Sequence, residues 1–220
     1  YKVIPTEYPT IHNHLRQYEV KLKNRGQCRY SRNSQNKINS VFPGQHHWLE
    51  LDNNPKDEYL AEFEKEKVVY SEIVRQPQFY FDRENFYVEA TSFLMTGKNV
   101  KYICGLLNSK PVTFFFKQWY AGGGLGEEGY RYKKAFLENL PLPPITTSNQ
   151  PIVEQIEALV DKILASHASA GSATDAEFIE ASVSHADTSE WEREIDRLVY
   201  KLYDLTEEEI GIVEGKSVAE

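Results

Sequence analysis

Two polar stretches hold most of the side chains whose chemistry suits nucleic acid. In the first, Lys21, Lys23, Arg25, Arg29, Arg32 and Lys37 alternate with Asn24, Gln27, Tyr30, Asn33, Gln35 and Asn36. Arg and Lys can contact phosphates or guanine edges, and Asn and Gln can pair with adenine edges. The bland reading of so polar a stretch is a solvated loop. In the second, Gly122-Gly123-Gly124 leads towards Tyr130-Arg131-Tyr132-Lys133-Lys134. Glycine lets a backbone approach phosphate closely, and mixed Tyr, Arg and Lys suit a nucleic-acid groove. The alternative is a flexible connector into the segment from Phe136 to Leu140. Arg75, beside Pro77 at the end of an apolar run, is a further candidate.

Catalytic chemistry is harder to find. Amino methylation of DNA needs an Asn/Asp-Pro-Pro-aromatic loop to hold the target amine of a flipped base. The nearest string, Asn53-Asn54-Pro55-Lys56, lacks the second proline and the aromatic ring. Gly122-Gly123-Gly124 follows an aromatic helix rather than a strand, so it is a poor methyl-donor turn. Glu19-Val20-Lys21 matches half of a metal-dependent nuclease motif, but only Glu7 is acidic upstream of it. His12, His14, His46 and His47 lack cysteine or carboxylate companions at zinc-ligand spacing, so solvated or core histidines are the better reading. Cys28 and Cys104 lie 76 positions apart, which is no metal spacing and fits a reducing cytoplasm. The expectation is that this chain has no catalytic, metal or cofactor residues of its own.

The elements that must carry these residues fall into two styles. Lys67 to Val74 and Gln78 to Phe81 are β-branched and aromatic runs split by Pro77, which predicts two strands and a turn. After the polar turn Asp82-Arg83-Glu84-Asn85, strand character resumes at Phe86 to Glu89 and at Ser92 to Met95. Val100 to Asn108 has helical spacing, and Pro111 opens a second helix carrying Phe114, Phe115 and Phe116. Trp48, Phe79 and Phe86 are expected in the core. Leu140-Pro141-Leu142-Pro143-Pro144 reads as a linker, because three prolines in four positions continue neither helix nor central strand. Beyond it, Pro151 to His167 forms an amphipathic stripe, and Ser166 to Thr188 is a loose Ala/Ser-rich loop. Ser189-Glu190-Trp191-Glu192 and Thr206-Glu207-Glu208-Glu209 are capping boxes for two more helices, the last stopping near Gly215.

Charge follows the same division. Residues 1–150 hold 20 Lys and Arg against 16 Asp and Glu, whereas residues 151–220 hold 5 against 17. A net charge of −8 argues against indiscriminate polyanion binding, yet a local basic face can still track phosphates. No run of eighteen apolar residues is present, so no membrane span is expected. Tyr1 is followed by no basic-then-apolar leader, so no signal peptide is expected, and the missing initiator methionine suggests an excised fragment or a processed chain.

An ordered series of segments changes the odds. These are Tyr8-Pro9, His14-Leu15 through Leu22 and Arg25, His47-Trp48-Leu49-Glu50-Leu51, and Lys67-Val68-Val69-Tyr70-Ser71-Glu72-Ile73. Pro77-Gln78-Phe79-Tyr80-Phe81-Asp82 and Lys101 to Lys110, with its Leu107-Asn108-Ser109, come next. Tyr130 to Lys134 and Leu137-Glu138-Asn139-Leu140-Pro141-Leu142-Pro143 close it. Together they resemble the TaqI-like C-terminal specificity domain over roughly residues 8–145. The tail around Glu194-Ile195-Asp196-Arg197-Leu198-Val199-Tyr200 is similar to the spacer helices of modular specificity subunits. The resemblance implies a target-recognition domain that reads double-stranded DNA and presents it to an adenine methyltransferase in the same polypeptide. S-adenosylmethionine, with magnesium where the parent also cleaves, is then expected for the parent enzyme and not for this part.

The resulting expectation is an α/β (α+β) recognition domain over residues 1–147, followed by a C-terminal helical hairpin over 148–220 that spaces or docks. The location expected is cytoplasmic. Arg29, Arg32, Asn33, Asn36 and Lys37 in one loop, Arg131, Lys133 and Lys134 in another, and Arg75 are the expected DNA contacts. One rival is a protein-interaction module acting through the acidic helices. The other is an enzyme acting alone.

Overall fold

The structure, a computed structural model, describes residues 1–25, 28, 46–50, 56–88, 91–120, 129–170 (168–170 as backbone only) and 187–216. Its contacts divide the chain into two units, Tyr1–Leu60 and Ala61–Glu220. In the first unit, α1 (Ile4–Glu7) and α2 (Pro9–Arg16) each take a proline in the first turn, where a missing N–H costs nothing. They are followed by α3 (Glu19–Lys23). A small core joins Cys28 and Trp48 to Leu15, Leu22 and Leu49. Arg25 donates to the carbonyl oxygens of Leu22, Trp48 and Glu50, and the Glu50 carboxylate accepts the His47 N–H at 2.6 Å. The Trp-Leu-Glu segment is thus a turn held by its own glutamate, and Arg25 is a structural clamp.

α4 (Asp57–Phe63) carries the chain into the second unit. There a three-stranded antiparallel sheet has the order β3 (Tyr80–Asp82), β1 (Lys67–Ser71), β4 (Ser92–Thr96). Lys67 stands opposite Asp82 and Thr96, and Val68 opposite Phe81 and Met95. A separate two-stranded ribbon pairs β2 (Ile73–Val74) with β5 (Tyr130–Arg131). The helices are α5 (Val100–Asn108), α6 (Lys110–Trp119), α7 (Lys134–Leu137), α8 (Gln150–Ala170), α9 (Ser189–Leu202) and α10 (Glu207–Val213). This mixture of small antiparallel sheets and helices, with helices at the C-terminal end, is the expected fold class.

One core joins the sheets of the second unit to most of its helices. Val68, Phe81, Leu106, Leu107 and Phe116 are buried in the same cluster as Val153, Ile156 and Val199 of α8 and α9. Contact is closest at Gly105, where a methyl group would lie 2.5 Å from Ile156 Cγ2. The boundary expected near residue 147 therefore falls inside this unit. The proline segment there is tied down: Tyr102 donates to the Pro143 carbonyl and Tyr203 to that of Pro141, each at 3.1 Å. Asp196 of α9 fastens the layers again, accepting the Lys110 N–H at the start of α6 at 2.8 Å.

Local differences from the sequence reading have identifiable causes. Residues 86–88 form no strand, because the Asp82 carboxylate accepts the N–H groups of Glu84 and Phe86 and Asn85 turns to φ 61°. Phe86 is consequently half-exposed rather than core, whereas Trp48 and Phe79 are buried. The capping box at Thr206 forms as expected. At α9 the cap is Thr188, whose hydroxyl donates to Glu192, and the Ser189 N–H goes to Asp187 instead. Gly215, at φ 71°, ends α10 where the sequence stops it.

Candidate nucleic-acid interface

The ribbon is where separated candidates meet. In an extended pair, side chains alternate between faces. Val74 and Tyr130, opposite each other, are buried, whereas Ile73 and Arg131, also opposite each other, are exposed. Arg75 follows β2 and is exposed; Tyr132 and Lys133 follow β5 as buried and exposed in turn. Tyr132 continues the pairing by donating its N–H to the Glu72 carbonyl at 2.8 Å. Ile73 and Arg131 thus share the outward side, with exposed Arg75 and Lys133 next to the strand ends, from two parts of the chain more than fifty residues apart.

The inward side explains why the ribbon is stiff. The Tyr132 ring lies 4.6 Å from Phe79 and 4.5 Å from Phe116, and the Tyr130 ring lies 5.8 Å from Phe116. Burial pushes both phenols upward from their ordinary value, so they remain neutral packing groups. Asn108 locks the approach to β3: its amide donates to the Phe79 carbonyl at 2.8 Å and its oxygen accepts the Phe79 N–H at 3.1 Å. The Leu-Asn-Ser end of α5 is therefore a brace for the strand behind the ribbon. Cys104 packs beside it, its thiol pushed up to about 12 by burial, which leaves no reactive thiolate near neutrality.

The electrostatics leave this face positive. Arg131 pairs with Glu72 at 3.7 Å and Lys134 with Glu138 at 3.5 Å, both at the surface, where such pairs hold little. Lys133 lies 5.6 Å over the Phe136 ring, a cation–π contact that orients it without neutralising it. Arg75 makes no ion pair among the described residues. Lys117 of α6 has its ammonium 5.2 Å from the centre of the inward-facing Tyr130 ring. Neither Lys117 nor Ile73 was singled out by the sequence reading. Nothing in the string distinguishes Lys117 from any exposed helical lysine until α6 packs beneath β5. Arg29, Arg32, Asn33, Asn36 and Lys37 lie outside the described residues, as do Gly122, Gly123 and Gly124. Among the described residues no group of three His, Cys, Asp or Glu could hold a metal ion.

The model of the TaqI-like C-terminal specificity domain matches residues 12–142, well over half of the chain. The chain belongs to this family. The match takes in both polar stretches, the Asn108 brace and both strands of the ribbon, and it ends at Leu142 in the proline segment. By family this is a specificity domain, the part of such an enzyme that selects and not the part that reacts. No curated protein matches the chain.

A second surface is of different character. Pro111, Val112, Phe115, Leu140, Leu142 and Ile212 are among the residues lining an apolar groove of about 300 Å³, with Glu209 at its edge. The first turn of α10 adds exposed Glu207 and Glu208.

Proposed function

We propose that this chain is the DNA target-recognition domain of a single-chain, type II restriction–modification enzyme. It reads double-stranded DNA and positions it for an adenine methyltransferase upstream in the same polypeptide and, where the parent cleaves, for a nuclease. The observation that carries this reading is the outward face of the ribbon, where cations from distant sequence positions stand on a rigid aromatic base. Arg75, Arg131, Lys133 and Lys134 contact phosphates and guanine edges there. Arg29, Arg32, Asn33, Asn36 and Lys37 supply a second set of contacts. S-adenosylmethionine and magnesium belong to the parent's catalytic parts, which would place the enzyme in the cytoplasm, beside the DNA it modifies. Among the described residues no helix is long and apolar enough to cross a membrane.

The test is selection from a randomised duplex pool at low and moderate salt, followed by sequencing of what is retained. One short motif should be enriched, and enrichment should weaken as salt rises, because each phosphate contact releases counterions. Replacing Arg75, Arg131 and Lys133 with alanine should remove it. If nothing is retained at low salt, alone or with the catalytic part added back, the reading fails.

A second reading has its own support in the apolar groove. Its acidic flank repels DNA, and an apolar groove on a folded surface is a binding feature. In this reading the C-terminal helices dock the methyltransferase part of the same polypeptide, which would bring an apolar segment with basic neighbours. Association that survives salt and involves no DNA would favour it.

A further inference from the structure

The ribbon's outward face holds one side chain that fits no phosphate. Ile73 is 55% exposed, stands directly opposite Arg131 and is followed on its own strand by exposed Arg75. Isolated surface apolar residues are ordinary, but this one sits among Arg75, Arg131 and Lys133 on a two-stranded ribbon, a shape narrow enough to enter the major groove. In that setting the cations hold the backbone of the duplex and the position between them faces base edges. A β-branched hydrocarbon offers no donor or acceptor, so hydrogen-bonding groups on bases gain nothing from it. One base feature in the major groove is apolar: the 5-methyl group of thymine.

We propose that Ile73 is a specificity-determining residue that packs against the methyl group of a thymine, so that the recognised motif contains at least one T·A pair read through that methyl. The inference rests on the DNA reading above and goes beyond it by naming a base and the atom that is read. The face is pre-formed, because Val74 and Tyr130 fix the ribbon from beneath and leave Ile73 no core partner to abandon. Contact with DNA removes apolar surface from water on both sides, whereas uracil or cytosine at the same position leaves part of Ile73 without a partner.

Two randomised duplex pools test this, one built with thymine and one with uracil, which differ only in the methyl group. The 220-residue chain is used unchanged and as Ile73→Val and Ile73→Ser. The unchanged chain and Ile73→Val should retain duplexes with thymine at one fixed motif position about three- to fivefold better than their uracil counterparts, the worth of one buried methyl. Ile73→Ser should lose that preference while total retention, carried by the cations, stays within about twofold. Unfolding midpoints of the three chains within a few degrees confirm that folding is not what changed, as expected at an exposed site. Equal retention of both pools with the same motif, or a preference that persists in Ile73→Ser, overturns the role of Ile73 and leaves the DNA reading standing. Retention of neither pool at low salt, alone or with the catalytic part added back, overturns both.

Discussion

The two sheets of the second unit use charged residues in opposite ways. In the three-stranded sheet, Lys67 and Asp82 stand opposite each other with no exposed surface, joined in an ion pair. Their further partners are internal too: Lys67 donates to the Phe63 carbonyl, and Asp82 accepts two backbone N–H groups of its own turn. In the ribbon, Arg131 and Lys133 lean outward, with pairs that are long, exposed or absent. A lysine within one sheet is architecture, while one beside the other is exposed and a candidate contact. Residue type alone separates them nowhere; desolvation and partner count do.

The sharpest way to break this comparison is to remove one partner of the buried pair. Lys67→Met should cost about 3–5 kcal/mol, because it strands a carboxylate without solvent or counter-charge. Urea unfolding would show it, and a loss below about 1 kcal/mol would mean the pair is not architectural. Gly105→Ala comes next, since the added methyl meets Ile156 within a packed layer. A loss of about 1–3 kcal/mol is expected, with one cooperative transition if α8 shares the core of the sheets.

Asp196 sharpens the comparison through pH. Burial raises its carboxyl above the ordinary value, against the opposing pull of the Lys110 N–H and ammonium. An acid with a raised folded value contributes most below its unfolded value of about 4 and loses that contribution as pH rises through the folded one. Asp196→Asn keeps an acceptor for Lys110 and removes the charge. Its stability should gain on that of the unchanged chain between pH 4 and neutrality, and a gap that narrows over that range would contradict the assignment. Asp196→Ala should follow the same pH trend but lie about 1 kcal/mol below Asp196→Asn throughout, the cost of losing a helix-start acceptor.

The smallest stability effect belongs to the ribbon. Arg75→Ala, Arg131→Ala and Lys133→Ala should each change stability by less than about 0.5 kcal/mol. Each that truly meets phosphate should lower the salt slope of DNA binding by about 1. A substitution that destabilises strongly would move that residue from contact to architecture.

Much of the fold could be read in advance where the signal is local. Period and caps placed α5 and α10 with their ends, because helix boundaries depend on side chains three or four residues away; α8 was also expected but runs on to Ala170, past the loop expected from Ser166. The strand expected at Phe86 to Glu89 misled for the converse reason. Its residues favour strands, but the Asp82 carboxylate takes the N–H groups that a ladder would need. At the candidate interface, Arg75, Arg131, Lys133 and Lys134 stood out by type, while Ile73 did not.

By itself the sequence determined the family, the class of elements, the division of charge and the supply of basic and amide side chains. Each of these follows from composition, short-range spacing or an ordered series of motifs. Tertiary structure alone decided that the helical tail shares its core with the sheets, that Arg25 and Lys67 are clamps, and that Ile73 stands opposite Arg131, with Arg75 and Lys133 exposed beside them. Those outcomes depend on which distant backbone a side chain finds opposite it. Register between β2 and β5, and the approach of Ile156 to Gly105, exist only once the chain has closed on itself.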